Sequence, residues 1–303
     1  MTAEARHGRR PGAARPVVAD VLSRLPLGLH RWLPLEQRAD LRHALGRFQP
    51  DEDGSGLIPP PPAPGETTGP PDYIGMGATS AGARWWHRLV ADHPEVSNRP
   101  DLPPARHYLS HFATRPFGPD RRAQYEGWFP RRPGTIAGEW TPTYSSLPWV
   151  APLLPRAAPH ARILLIVRDP LARLPVALVG HEEDRVAQTG TAIADAVDGG
   201  FYGAQLAQVL THVPADRVQV LQYEQCRRDR DGHLAATYRF LGLDDGHRPE
   251  RGRQPTSART GPGADLDPDT RDRLVDLYAA DVIALAGLVP ELDLSLWPAF
   301  DRA

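Results

Sequence analysis

The sequence predicts an α/β fold, a parallel sheet flanked by helices, preceded by an N-terminal helical segment. Three observations carry the expectation. Residues 161–167, Ala-Arg-Ile-Leu-Leu-Ile-Val, form an almost unbroken apolar run, as a strand does when helices cover both faces of its sheet. Tyr73-Ile74-Gly75-Met76-Gly77 is a short apolar run that breaks at Ala78–Gly82. After it Trp85, Trp86, Leu89 and Val90 recur at helical spacing, so this stretch reads strand, turn, helix. Val218 to Tyr223 reads as a third strand, followed by a helix over Leu234–Leu241 that stops at Gly242. Strands separated by helical stretches imply βαβ units.

Along the chain, residues 1–15 are rich in Arg, Ala and Gly without periodicity and read as a disordered tail. Residues 16–48 carry apolar positions at helical spacing (Val18, Val21, Leu22 and Leu25, then Leu41, Leu45 and Phe48), interrupted at Pro26 and Pro34. Two or three short helices follow from that pattern. They either coat the main domain, pair with a second chain or lie on a membrane surface. Residues 49–71 are dominated by Pro and Gly and read as an extended linker with little fixed structure. The main domain is expected over 72–303, closing with an amphipathic helix over Leu274–Leu288.

Charge and composition narrow the function. The net charge of −2 gives no global field for nucleic acid or an anionic membrane. All 35 basic residues are arginine, so any phosphate or sulfate clamp must use guanidinium, main-chain N–H or hydroxyl groups. The single cysteine, Cys226, excludes an intrachain disulfide and reads as a structural thiol. No apolar run is long enough to span a membrane, and no signal peptide is recognisable; a cytoplasmic protein is expected. His181-Glu182-Glu183-Asp184 lacks a strict ligand spacing and reads as a solvated turn rather than a metal site.

A strand feeding a tight turn and a helix presents free N–H groups and a positive helix end to an anion. Residues 73–90 have this form. Gly77 and Gly82 have the separation of a Walker loop, but Ala83-Arg84 stand where Lys-Ser/Thr would follow. The stretch DYIGMGATSAGARWWHRLVADHPEV instead resembles the 5′-phosphosulfate loop of the PAPS-dependent sulfotransferases. Three further stretches resemble that family in the same order. They are Gly138 to Tyr144 (GEWTPTY), Ala161 to Arg173 (ARILLIVRDPLAR), and Val220 to Cys226 with Tyr238 to Leu243. The likeness spans about residues 72–300 and is nearest to bacterial members acting on carbohydrates or small molecules.

The resemblance implies a P-loop-like sulfotransferase fold. It also implies PAPS as donor, PAP as product, no metal, and a small-molecule or carbohydrate hydroxyl acceptor. By position, Gly77, Ser80, Ala81, Gly82, Ala83, Arg84 and Trp85 would surround the 5′-phosphosulfate, and Arg168 and Val176 the 3′-phosphate. Several family side chains are replaced. Ser80 stands at the loop's basic position, and Ala83 and Arg84 at its hydroxyl positions. Ala105 stands where related enzymes carry a base, and Val176 where they carry a serine. Arg84 is the candidate for the missing charge and His107 for the missing base. The function expected is sulfuryl transfer with weakened PAPS binding. The alternative is an inactive pseudo-sulfotransferase that binds or regulates, in company with an active paralogue.

Overall fold

The computed structural model describes residues 58–113, 115–179, 190–249 and 266–301. The predicted tail, most of the N-terminal helical segment, the first part of the linker and the His181–Asp184 turn lie outside these residues. Among the described residues the sheet has four parallel strands: β1 (Tyr73–Gly77), β2 (Gly138–Trp140), β3 (Arg162–Val167) and β4 (Val218–Gln222), in the order β2-β1-β3-β4. The chain leaves β1 towards β2 on one side and returns to β3 on the other. The switch point between β1 and β3 is where open α/β sheets bind ligands.

Two apolar clusters sandwich the sheet. Tyr73 and the run Leu164–Val167 join the cluster with Trp86, Tyr238, Tyr278 and Trp297, whereas Ile74 and Ile163 join the one with Tyr108, Tyr125 and Val150. The predicted strands at 73–77, 162–167 and 218–222 are present, and β3 is central and buried beyond its first residue. Tyr223 begins a helix instead of ending β4. β2 is not readable from its residues, because Glu139 sits at its centre and is fully buried.

Helices α1 (Ala83–Val90), α2 (Pro119–Glu126), α3 (Val150–Ala157), α4 (Pro170–Val179), α5 (Gly190–Asp198) and α6 (Tyr202–His212) follow in order. Then come α7 (Tyr223–Arg228), α8 (Arg230–Leu241) and α9 (Pro268–Leu288). Gly242 ends α8 in the left-handed conformation, as expected. α9 starts earlier than its apolar spacing suggests, since the Asp267 carboxylate accepts from Thr270 N–H and Pro268 opens the first turn. No described helix is long and apolar enough to cross a membrane.

Residues 58–71 correct the expectation of a linker with little fixed structure. Thr67 and Arg131 exchange main-chain hydrogen bonds of 2.9 Å. The Arg131 guanidinium donates to Gly69 O and Pro70 O and pairs with Asp72. Arg99 reaches back to Pro61 O and Glu66. Pro and Gly signal an irregular path, and long-range arginine contacts hold this one in place.

Candidate active site

The β1–α1 loop is built by glycines that no other residue replaces without conflict. Gly77 lies so close to Ser145 that a Cβ there would stand 2.3 Å from its Oγ. Gly82 caps α1 at φ 100°, and its Cβ would stand 2.6 Å from the Tyr223 ring. Ser80 is also left-handed, at φ 63°. Ala78 N–H is bonded to Ile166 O, which ties the loop to β3. The first helical bond of α1 runs from Trp86 N–H to Gly82 O. The N–H groups of Ala83, Arg84 and Trp85 therefore precede the ladder at the positive end of the helix.

The loop's side chains add little to those N–H groups. Ala81 and Ala83 are buried methyl groups, and Arg84 points out, exposed. Trp85 packs edge-on to Trp86 and to Tyr223, with ring centroids 5.2 and 5.9 Å apart. Trp86 is fully buried and donates to Thr237 Oγ1. Both indoles support the loop from its inner side.

Arg168 leaves the C-terminal end of β3 half-buried, its guanidinium 4.9 Å from the centroid of the Tyr223 ring. That ring also touches Gly82, so Tyr223 links Arg168 to the loop. Sequence reasoning saw it only as the end of a strand. Asp169 turns the chain into α4 by accepting from Leu171 and Ala172 N–H. Glu224 accepts from Asp169 N–H and Trp297 Nε1, locking the two strand ends together. Burial raises the pKa of Glu224 against the lowering effect of the Trp297 bond. Cys226, next in this turn, is buried and its thiol pushed up by desolvation. Arg173 is buried and donates to Thr79 O at 3.3 Å and to Ala196 O, so it braces the loop against α5. Val176, half-buried three residues on, brings only methyl groups.

His107 belongs to a second cluster, beside β2. Glu139 Oε1 accepts from Tyr125 OH at 2.6 Å and Tyr144 OH at 3.3 Å. Its Oε2 accepts from Thr141 OH at 2.5 Å and Arg106 N–H at 3.1 Å. Thr141 Oγ1 accepts in turn from His107 N–H, and Tyr144 OH from Leu109 N–H. Glu139 therefore orders the His107 segment, through hydroxyls and a main-chain N–H of Arg106. Trp140 Nε1 donates to Gly77 O, joining this cluster to the loop. Desolvation lowers the His107 pKa, opposed by the Glu139 charge, which leaves the imidazole neutral at pH 7. His107 is exposed at φ 53°. Ala105 supplies no carboxylate beside it.

His87, on the inner face of α1, is buried between the Tyr73 and Trp140 rings. Desolvation first, then the charges of Arg106 and Arg88, lowers its pKa to about 4. The unfolded chain binds this proton near pH 6.5 and the folded one only near 4, so stability is complete above about 6.5 and falls as pH drops towards 4. Between pH 7 and pH 5 the loss is about 2 kcal/mol from this group. Urea midpoints for the wild type and His87→Gln at both pH values measure it. An equal pH effect in both proteins contradicts the assignment.

The model of a sulfotransferase family matches residues 138–247. A sulfotransferase from Alicyclobacillus acidocaldarius superposes with TM-score 0.58 at 23% identity over 75% of this chain and 98% of the other. That likeness shows the fold. A mouse sulfotransferase solved with PAP gives TM-score 0.43 at 13% identity over 80% of this chain and 95% of the other. One from Mycobacterium avium gives 0.43 at 13% over 91% and 88%. A comparison with curated proteins returns no match.

Proposed function

The chain belongs to the sulfotransferase family, and from that premise we propose that it takes PAPS at the switch point between β1 and β3 and transfers its sulfuryl group to a hydroxyl acceptor. The observation that carries the reading is the pairing of the β1–α1 loop with Arg168 across Tyr223. It sets uncapped N–H groups and a guanidinium on one edge of the sheet. The N–H groups of Ala83, Arg84 and Trp85 suit the 5′-phosphosulfate, and Arg168 suits the 3′-phosphate. Gly77, Ser80, Ala81 and Gly82 contribute the shape of the loop.

In the reaction the acceptor oxygen attacks sulfur, and the bond from sulfur to the bridging phosphate oxygen breaks. PAP leaves with the electron pair, and the hydroxyl proton passes to a base. His107, neutral at pH 7, fills that role. The negative charge gathering on the leaving phosphate meets main-chain N–H groups alone, because Ser80, Ala81 and Ala83 carry no cation. Weak donor binding and slow turnover follow from that deficit. The deficit also favours a second reading, an inactive family member that binds a partner such as an active paralogue.

Calorimetric titration with PAP tests the donor site without knowledge of the acceptor. The expected result is a dissociation constant above the micromolar range, weakened about tenfold or more in Arg168→Ala, as for loss of one charge-assisted contact. No heat at millimolar PAP, or no effect of Arg168→Ala, overturns the assignment of this edge. Micromolar binding with brisk sulfation of a phenol or sugar overturns the weakened site and the inactive reading together.

A further inference from the structure

Beside the loop, a shallow cavity of about 50 Å³ is bordered by Ser145, Ser146, Phe201, Ala204 and Gln205. It adjoins the donor loop directly, since Ser145 Oγ packs on Gly77 at the end of β1. By the space one water needs, the cavity admits about three to four waters, or a hydroxylated fragment of two or three carbons.

Its chemistry is decided by Gln205, which is 8% exposed. The amide nitrogen donates to Asp198 O at 3.1 Å, whereas Oε1 is buried without a hydrogen-bond partner. A carbonyl oxygen such as Asp198 O only accepts, so the amide cannot be turned over, and Oε1 must face away from that bond. An orphan acceptor in a cavity wall calls for a donor from a ligand. Neighbouring donors are already taken. Gly203 and Ala204 N–H go to the Asp281 carboxylate, and the Gln208 amide goes to Pro148 O. Phe201 gives the cavity an apolar wall, as small-ligand sites commonly have.

We propose that this cavity is the acceptor subsite. It receives a hydroxylated end of a small polyol or sugar-like molecule, one hydroxyl of which donates to Gln205 Oε1. Its role as an acceptor subsite rests on the transfer reading above. Its preference for a hydroxyl donor does not.

The experiment uses the full chain with ¹⁵N-labelled glutamine side chains, titrated separately with ethylene glycol and with acetone. Ethylene glycol donates and accepts; acetone, of similar size, only accepts. The expected result is a saturable shift of the Gln205 amide signals with ethylene glycol and a response at least tenfold weaker with acetone. Gln205→Leu should lose the saturable response at the Ala204 amide. Equal responses to both probes, or none to ethylene glycol, overturn the proposal. If Gln205→Leu does not fold, the comparison of probes on the wild type decides alone. PAP titration separates the two claims. A protein that binds PAP but shows no preference for the alcohol loses only the subsite. One that shows the preference but ignores PAP keeps the cavity and loses the transfer reading.

Discussion

Ser80→Arg, Ala83→Thr, Arg84→Thr, Ala105→Glu and Val176→Ser, made together, are expected to raise PAP affinity by about a hundredfold or more over the wild type. The estimate rests on one regained cation and at least one regained hydroxyl at the phosphates. Charge-assisted hydrogen bonds contribute roughly 1.5–3 kcal/mol each. Turnover should rise as well once an acceptor is supplied. A positioned donor to developing charge is worth about a hundred- to a thousandfold in rate, and a general base a further factor of about a hundred to ten thousand, though such effects do not simply multiply.

The fold has room for most of these changes. Ser80 already adopts the left-handed conformation, so arginine there meets the same backbone requirement. Arg84 is exposed and Val176 half-buried. Ala83 is 3% exposed, which makes Ala83→Thr the step most sensitive to crowding. A variant without Ala83→Thr should therefore retain most of the gain in affinity. Calorimetry with PAP on wild type, four-fold and five-fold variants checks this. A folded five-fold variant that binds PAP no better than wild type refutes the register assigned to these segments.

Glu139→Ala is expected to cost about 3–5 kcal/mol of stability, the range for breaking a buried charged network by removing one partner. The hydroxyls of Tyr125, Tyr144 and Thr141 and the N–H of Arg106 all lose their acceptor at once. Burial, followed by the Glu139 charge, raises the pKa of both tyrosines far above the ordinary phenol value, so they stay protonated as donors. Glu139→Gln should cost nearly as much, because its NH₂ would face Thr141 OH or a tyrosine OH in place of an acceptor. Chemical denaturation gives the energies. Amide exchange at Arg106, His107 and Leu109 should speed up in both variants, since Thr141 and Tyr144 hold those N–H groups. A loss below about 1 kcal/mol would show that Glu139 is not the hub of this cluster.

The sequence alone determined the class of fold and the place of the donor loop. The evidence was local: the apolar run of β3, the break between Gly77 and Gly82, and the helical spacing from Trp85 to Val90. Each reflects the period of one element or the backbone freedom of one turn, and neither needs a distant partner to be recognised. Gly242 as a helix stop was legible for the same reason. β2 was not, because its central residue is a carboxylate, which belongs in a strand only when distant hydroxyls are known to receive it. The linker misled in the same manner: residues 58–71 have the composition of a loose chain, and only Arg99 and Arg131, far along the sequence, fix their path. Arg168 was recognised as a ligand, but that the Tyr223 ring joins it to Gly82 depends on β3 and β4 ending side by side. Likewise Gln205 is an ordinary helical glutamine until the fold buries its oxygen beside Ser145. Local periodicity specifies elements, whereas a site arises where strand ends converge, and that convergence is decided by packing between residues far apart in the chain.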